Sequence, residues 1–274
     1  MNTENKVLGK VILAGAGPGD PDLISVKALR YLKLADVVIV DRLVSEELLV
    51  ANVKPGSKII RAGKQGGSAS STGQQTINDL LVEHAKTNAL VLRLKGGDVS
   101  FFSNVLDELE TLTKYGIDFE VVPGITAASG AAAYAGFPLT ARGYANSVRF
   151  ITHYGDVKWT PAYWNELTST EDTLVFYMSM EFLDTLVENL LLSGISPDKQ
   201  LAVISEATTP FQRVQVLPLP EYNSKRSSIR LTSPTIIVVG KVTVLHKRFN
   251  WFTGTRESAG YFNSKENIVP VNLN

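Results

Sequence analysis

Short apolar runs alternate with amphipathic stretches through the first half of the chain. Residues 11–15 (VILAG) are apolar and end in glycine, 22–34 place Leu23, Val26, Leu29, Tyr31 and Leu34 at helical spacing, and 37–41 (VVIVD) return to an apolar run. The rhythm continues with expected strands at 57–61, 89–94 and 118–122 and expected helices at 73–86, 103–114 and 126–136. Strands that are apolar almost throughout, separated by amphipathic helices, predict a parallel sheet covered on both faces. The stretch 137–146 (FPLTARGYAN) breaks the pattern and reads as a linker, so the expected division is an N-terminal α/β domain at 1–137 and a C-terminal α/β domain at 138–274. Beyond it, strands are expected at 147–152, 173–178, 201–206, 213–217 and 235–240, with a helix at 181–193. Some of these strands are too closely spaced for crossovers, which predicts a mixed sheet. From about 254 the chain is polar and weakly patterned, the expectation for a loosely held tail.

Composition narrows the chemistry. In 274 residues, 27 Lys and Arg balance 27 Asp and Glu, so no global field draws the chain to a polyanion and no nucleic-acid partner is expected. Cysteine is absent, which removes disulfides, thiolate nucleophiles and thiolate metal sites, and three scattered histidines make no metal centre. The first ten residues carry no apolar signal core and the apolar runs are about six residues long, so neither secretion nor membrane spanning is expected and the cytoplasm is the default.

Two glycine loops follow expected strands. The first, Gly15-Ala16-Gly17-Pro18-Gly19-Asp20, with Asp41 ending the next strand, imitates a dinucleotide fingerprint. The third glycine of that fingerprint is replaced by Asp20, whose carboxylate would repel a pyrophosphate at the helix start; capping that helix is its plainer role. The second, Lys95-Gly96-Gly97-Asp98, lies beyond the carboxyl end of a parallel strand, where open α/β sheets bind ligands, and is either a ligand cradle or a tight turn. The glycine- and serine-rich segment 62–72 is either a lid over a polar substrate or a solvated loop.

Taken in order, these stretches resemble the tetrapyrrole methylases. The resemblance rests on the opening VILAGAGPGDPDLISVKALRYLKLADVVIVDRLVSEELL, RLKGGD at 93–98, VVPGITAASGAAAYAGFPLTARG at 121–143, FYMSM at 176–180 and SPTIIVVGKV at 233–242. It implies two α/β domains with S-adenosylmethionine in the cleft between them, S-adenosylhomocysteine as the spent cofactor, and a homodimer. Carried over by position, it places Pro18 beside the cofactor and makes Gly96, Gly97 and Asp98 its main cradle. It further puts Thr126 and Ala127 at the methionine or ribose portion, and Met178 and Ala207 around the adenosine. The implied reaction is methylation of uroporphyrinogen III at C2 and C7 to give precorrin-2, for sirohaem or cobalamin, with another corrin precursor as the alternative substrate. The chain departs from the family where Asn104 replaces the usual arginine after the GGD loop, Ala141 replaces histidine in Thr-His-Arg, and Gln65 stands where arginine is frequent.

Methyl transfer from a sulfonium to an electron-rich carbon needs orientation more than covalent help. Three side chains are candidates for catalysis. Asp41 is either a base or acceptor near a pyrrole N–H, or a helix cap or partner to Arg42. Tyr177 either presents its hydroxyl to substrate or is a core aromatic, and Arg142 either grips a substrate carboxylate or braces the linker. Lys64, Arg93, Arg149 and Arg213 are either further contributors to a basic rim or, the plainer reading, solvated or structural charges, and His153 is a candidate for polar lining. A nucleotide-dependent oxidoreductase and a catalytically inert binding protein are the competing classes.

Overall fold

The computed structural model describes residues 8–62, 73–153, 158–229, 232–255 and 262. The chain divides into two compact units, one reaching Thr126 and the other starting at Ala127.

The first unit contains β1 (Lys10–Gly15), α1 (Val26–Leu34), β2 (Val37–Val40), α2 (Glu46–Asn52), β3 (Lys58–Arg61), α3 (Gln74–Ala85), β4 (Leu90–Lys95), α4 (Val105–Lys114) and β5 (Phe119–Val122). The strands pair in the order β3-β2-β4-β1-β5, all parallel. Alternate residues of the same strands feed two apolar layers, which is why these strands read as continuous apolar runs. Ile12, Ala14, Val38, Leu92 and Leu94 pack with Ala28, Leu32 and Leu48, while Val11, Leu13, Ile39 and Val91 pack with Ile77, Leu81 and Leu112. Ser25 and Ser45 start α1 and α2 by accepting hydrogen bonds from the amides of Ala28 (3.3 Å) and Leu48 (3.4 Å).

The second unit contains α5 (Ala127–Tyr134), β6 (Val148–Thr152), α6 (Pro161–Ser169), β7 (Thr173–Tyr177), α7 (Leu183–Leu192), β8 (Gln200–Ser205), β9 (Arg213–Pro218) and β10 (Thr235–Gly240). Its sheet runs β6-β7-β10-β8-β9; β6 and β7 are parallel and the other pairs antiparallel, so the sheet is mixed. The alanine-rich α5, which the division at 137/138 assigned to the N-terminal domain, falls in this unit. Ala128, Ala131, Ala132 and Ala135 lie against Val175, Ala202 and Val238, and their single methyls let the helix backbone approach the sheet closely. Residues near the end of the described chain fasten onto the same helix: Trp251 Nε1 donates to the Ala133 carbonyl (2.8 Å), and the Tyr134 ring meets those of Trp251 and Phe252 at 5.1 and 4.9 Å. The polar stretch expected from about 254 falls mostly outside the described residues.

Candidate functional site

The carboxyl ends of β4, β1 and β5 adjoin in the first sheet, and each continues into a loop carrying glycine. Gly17 and Gly97 exchange backbone hydrogen bonds of 3.1 and 2.7 Å, with φ of +85° and +69° that suit glycine. A Cβ on Gly15 would stand 2.5 Å from the Gly97 carbonyl oxygen and 2.8 Å from the Gly124 Cα, and one on Gly124 would strike that same oxygen. The three loops therefore pack main chain against main chain. Asp98 locks them: one carboxylate oxygen accepts from the Ser100 amide (2.7 Å), the other from the Gly124 amide (2.8 Å), and the residue is buried. Gly96 has its own packing reason, since a Cβ there would meet Leu43 Cβ at 2.8 Å. Pro18 and Thr126 are half-buried at the ends of these loops. Asp20 caps the short helical turn Pro21–Leu23 through the Asp22 amide (2.9 Å), the plainer of its two readings. Sequence reasoning found each glycine motif but not their mutual contact, which depends on strand order.

Asp41 follows β2 at the same sheet edge, its amide bonded to the Leu94 carbonyl (3.0 Å). Its carboxylate pairs with Arg93, a partner the sequence reading did not name. Arg93 is 1% exposed, so it belongs to the core and not to a rim for substrate carboxylates. Its Nε also reaches Glu108 Oε1 (3.1 Å), and both Glu108 oxygens accept from Lys95 Nζ at 2.9 Å. Burial pushes the Lys95 ammonium below the usual lysine range, with Glu108 opposing that shift.

In the second unit β7 and β8 end at one sheet edge, on either side of the start of β10. Tyr177, the last residue of β7, accepts a hydrogen bond on its hydroxyl from the Ala128 amide (2.9 Å), one of the amides that the first turn of α5 leaves without an intrahelical partner. That ties Ala127 at the helix start to the strand end. Met178 comes next, half-exposed and with φ +55°, a conformation that non-glycine residues rarely adopt. Ala207, beyond β8, is buried between Glu206 (φ +49°) and Thr208 (φ +68°), in a loop held by the Thr208 amide donating to Gln212 Oε1 (2.7 Å). Nothing in the apolar periodicity foretold this backbone, because short left-handed corners leave no periodic signal.

Arg142 stands exposed in a tight turn closed by the Ala141–Ala145 bridge, and its guanidinium makes no ion pair or hydrogen bond among the described residues. Arg149 is committed to Glu166 (2.6 Å) and Asp172 (2.5 Å). His153 is buried among Trp159, Trp164 and Phe182, which pushes its imidazole below the ordinary range. Asn104 adopts φ +55° before α4, its amide donating to Asp107 Oδ2 (2.7 Å) and Gln74 Oε1 (3.2 Å). Lys64 and Gln65 lie outside the described residues. Among the described residues no group of three His, Asp or Glu stands ready to hold a metal ion. An open groove of about 650 Å³ in the second unit, lined by Val214, Val216, Lys225 and Lys247, includes none of the expected cofactor residues.

The family model described as "Tetrapyrrole (Corrin/Porphyrin) Methylases" matches residues 10–223. Siroheme synthase of Saccharophagus degradans is 43% identical over 244 residues, covering 89% of this chain and 53% of that protein. The chain thus spans about half the length of the curated relatives it matches. The native uroporphyrin III C-methyltransferase of Thermus thermophilus superposes with a TM-score of 0.71 at 32% identity, covering 86% of this chain and all of that one. The complex of the Thermus thermophilus enzyme with S-adenyl homocysteine gives 0.70 at 31% identity, covering 85% of this chain and 93% of that one.

Proposed function

The chain belongs to the tetrapyrrole methylase family, and from that premise we propose that it is an S-adenosylmethionine-dependent C-methyltransferase converting uroporphyrinogen III to precorrin-2 by methylation at C2 and C7. The observation that carries the reading is the glycine cradle locked by Asp98, on a chain that covers the whole of a uroporphyrin III C-methyltransferase. A side chain at Gly15 or Gly124 would force the three loops apart, so glycine at these positions keeps their main chains packed together at the carboxyl edge of the sheet. Gly96, Gly97 and Asp98, with Pro18 and Thr126, are the proposed cofactor contacts of the first unit; Ala127, Met178 and Ala207 are those of the second. When bound, the cofactor supplies a methyl group on a sulfonium, open to displacement by a nucleophilic carbon. Asp41 then serves as the acceptor for a pyrrole N–H and Arg142 as a fork for a substrate carboxylate. Tyr177 acts by fixing the start of α5.

The proposed assembly is a homodimer without nucleic acid. The proposed location is the cytoplasm, supported by a chain without cysteine in which no described helix is long and apolar enough to cross a membrane. A second reading, methylation of another corrin precursor, is favoured by Asn104 and Ala141 at positions where the family has arginine and histidine. Incubation with S-adenosylmethionine and freshly reduced uroporphyrinogen III, followed by mass analysis, tests both. Two added methyl groups on the tetrapyrrole are expected. No transfer to this substrate, with transfer to a methylated corrin precursor, would overturn the first reading in favour of the second.

A further inference from the structure

Arg93 occupies a place where the sheet otherwise has aliphatic side chains. It pairs in register with Leu13 of β1 and Ile39 of β2, on the face that Val11, Val91 and Leu112 also line. Its side chain is 2% exposed, and every guanidinium nitrogen is used. Nε donates to Glu108, Nη1 to the carbonyls of Ile39 (3.3 Å) and Leu94 (3.4 Å), and Nη2 to Asp41. Lys95 and Glu108 complete the cluster with side chains 3% and 0% exposed, while the Asp41 side chain is 27% exposed. Arg93, Lys95 and Glu108 together carry one excess positive charge, and Asp41, at the sheet edge, supplies the balancing negative one. A buried ion network of this kind is often no more stabilising than apolar residues of equal volume. Stability alone therefore gives no reason for it, whereas holding an anion in one orientation at the sheet edge does.

We propose that Arg93 is a positioning residue: its fork, braced from behind by Glu108, orients Asp41 as an anion at the reacting edge of the first sheet. The inference rests on the functional reading above, because Asp41 acts on substrate only if that reading holds. Three charged groups face Asp41, namely Arg93 and Lys95 from β4 and its neighbour Arg42, while Glu108 from α4 stands behind Arg93 and Lys95.

The test compares wild type, Arg93→Lys, Glu108→Gln and Leu112→Ala, the last an apolar change in the same layer. Each is assayed for kcat and KM of transfer to reduced uroporphyrinogen III, for S-adenosylhomocysteine affinity and for thermal unfolding. Arg93→Lys keeps the charge and loses the fork. Its kcat is expected to fall on the order of tenfold, with KM and cofactor-product affinity within about twofold of wild type. Glu108→Gln removes the charged brace behind the fork, so its kcat is expected to fall by a smaller factor with KM again unchanged. Leu112→Ala is expected to unfold at lower temperature with kcat within about twofold of wild type. Equal kcat in all four proteins, or a Leu112→Ala kcat that falls as far as that of Arg93→Lys, would overturn the inference while leaving the functional reading intact. Should Arg93→Lys fail to fold, the kcat of Glu108→Gln against that of Leu112→Ala decides alone. Absence of transfer by wild type overturns the functional reading, and the inference with it.

Discussion

A methyl added at Gly15 or Gly124 has to displace main chain, since what it meets is the carbonyl of Gly97 and the backbone of the opposite glycine. Gly124→Ala is therefore expected to lower stability by about 1 to 3 kcal/mol and to weaken S-adenosylhomocysteine binding beyond detection. Thermal unfolding and calorimetry check the two effects separately; an unchanged affinity would remove the cradle role. His153 carries a different kind of cost. Burial holds its imidazole below the unfolded value of 6.5, so the unfolded chain takes up a proton first on acidification. Stability from this group is fully present above pH 6.5 and declines as pH falls toward the lower folded value. His153→Phe, which removes the titrating ring, is expected to show a smaller fall in unfolding temperature than wild type between about pH 7.5 and 5.5. At this scale the sequence was readable where residue type alone decided the outcome, as for Asp20 as a cap. Arg93 follows the plainer of its two readings, a structural charge, and shares its strand parity with the buried Val91. Parity points a side chain to a face, but the carboxylates awaiting it come from Asp41 and α4, which a single strand cannot show.

In the first turn of helix α5 the Ala128 amide donates to the hydroxyl at the end of β7. Tyr177→Phe keeps the ring in the core and removes that acceptor. It is expected to cost about 1 kcal/mol, the usual worth of a helix cap, measured by denaturant unfolding. A large fall in kcat with stability unchanged would instead make the hydroxyl a substrate contact. Strands and long helices were legible because their periods of two and 3.6 repeat often enough to be counted. The helices α2 and α6 were not expected, though both carry start signals: Ser45 before Glu46-Glu47, and Thr160 before Pro161, whose hydroxyl accepts from the Tyr163 amide (3.3 Å). They bury few side chains, Leu48 and Leu49 in one and Trp164, Leu167 and Thr168 in the other, so their periodicity is weak. The same limit affected the linker: the break at 137–146 was visible, but which sheet α5 packs on depends on a complementary surface distant in sequence.

Zero net charge gives the whole molecule no long-range pull on the polyacidic substrate proposed for it, so recognition of that substrate has to rest on particular cations. Arg93, Lys95 and Arg149 are already engaged with carboxylates, whereas Arg142 is exposed in its turn with no ion pair among the described residues. Arg142→Lys is therefore expected to weaken uroporphyrinogen III binding by about 2 kcal/mol, with S-adenosylhomocysteine affinity and thermal unfolding unchanged. Equilibrium binding of the two ligands to wild type and variant measures it. A parallel fall in stability and in both affinities would return Arg142 to a bracing role.

The glycine loops also have a consequence on the timescale of proton exchange with solvent. Loop amides ordinarily swap hydrogen for deuterium within a cooperative unit far weaker than the core. Here the Gly97 amide is bonded to the Gly17 carbonyl at 2.7 Å and the Gly124 amide to the Asp98 carboxylate at 2.8 Å, with the strands directly behind them. Both should exchange as slowly as amides of β1 and β4, so that the glycine loops open only when the sheet itself does. On the proposed reading the cofactor meets a cradle already set, and the ordering entropy of these loops is spent during folding, before any ligand arrives.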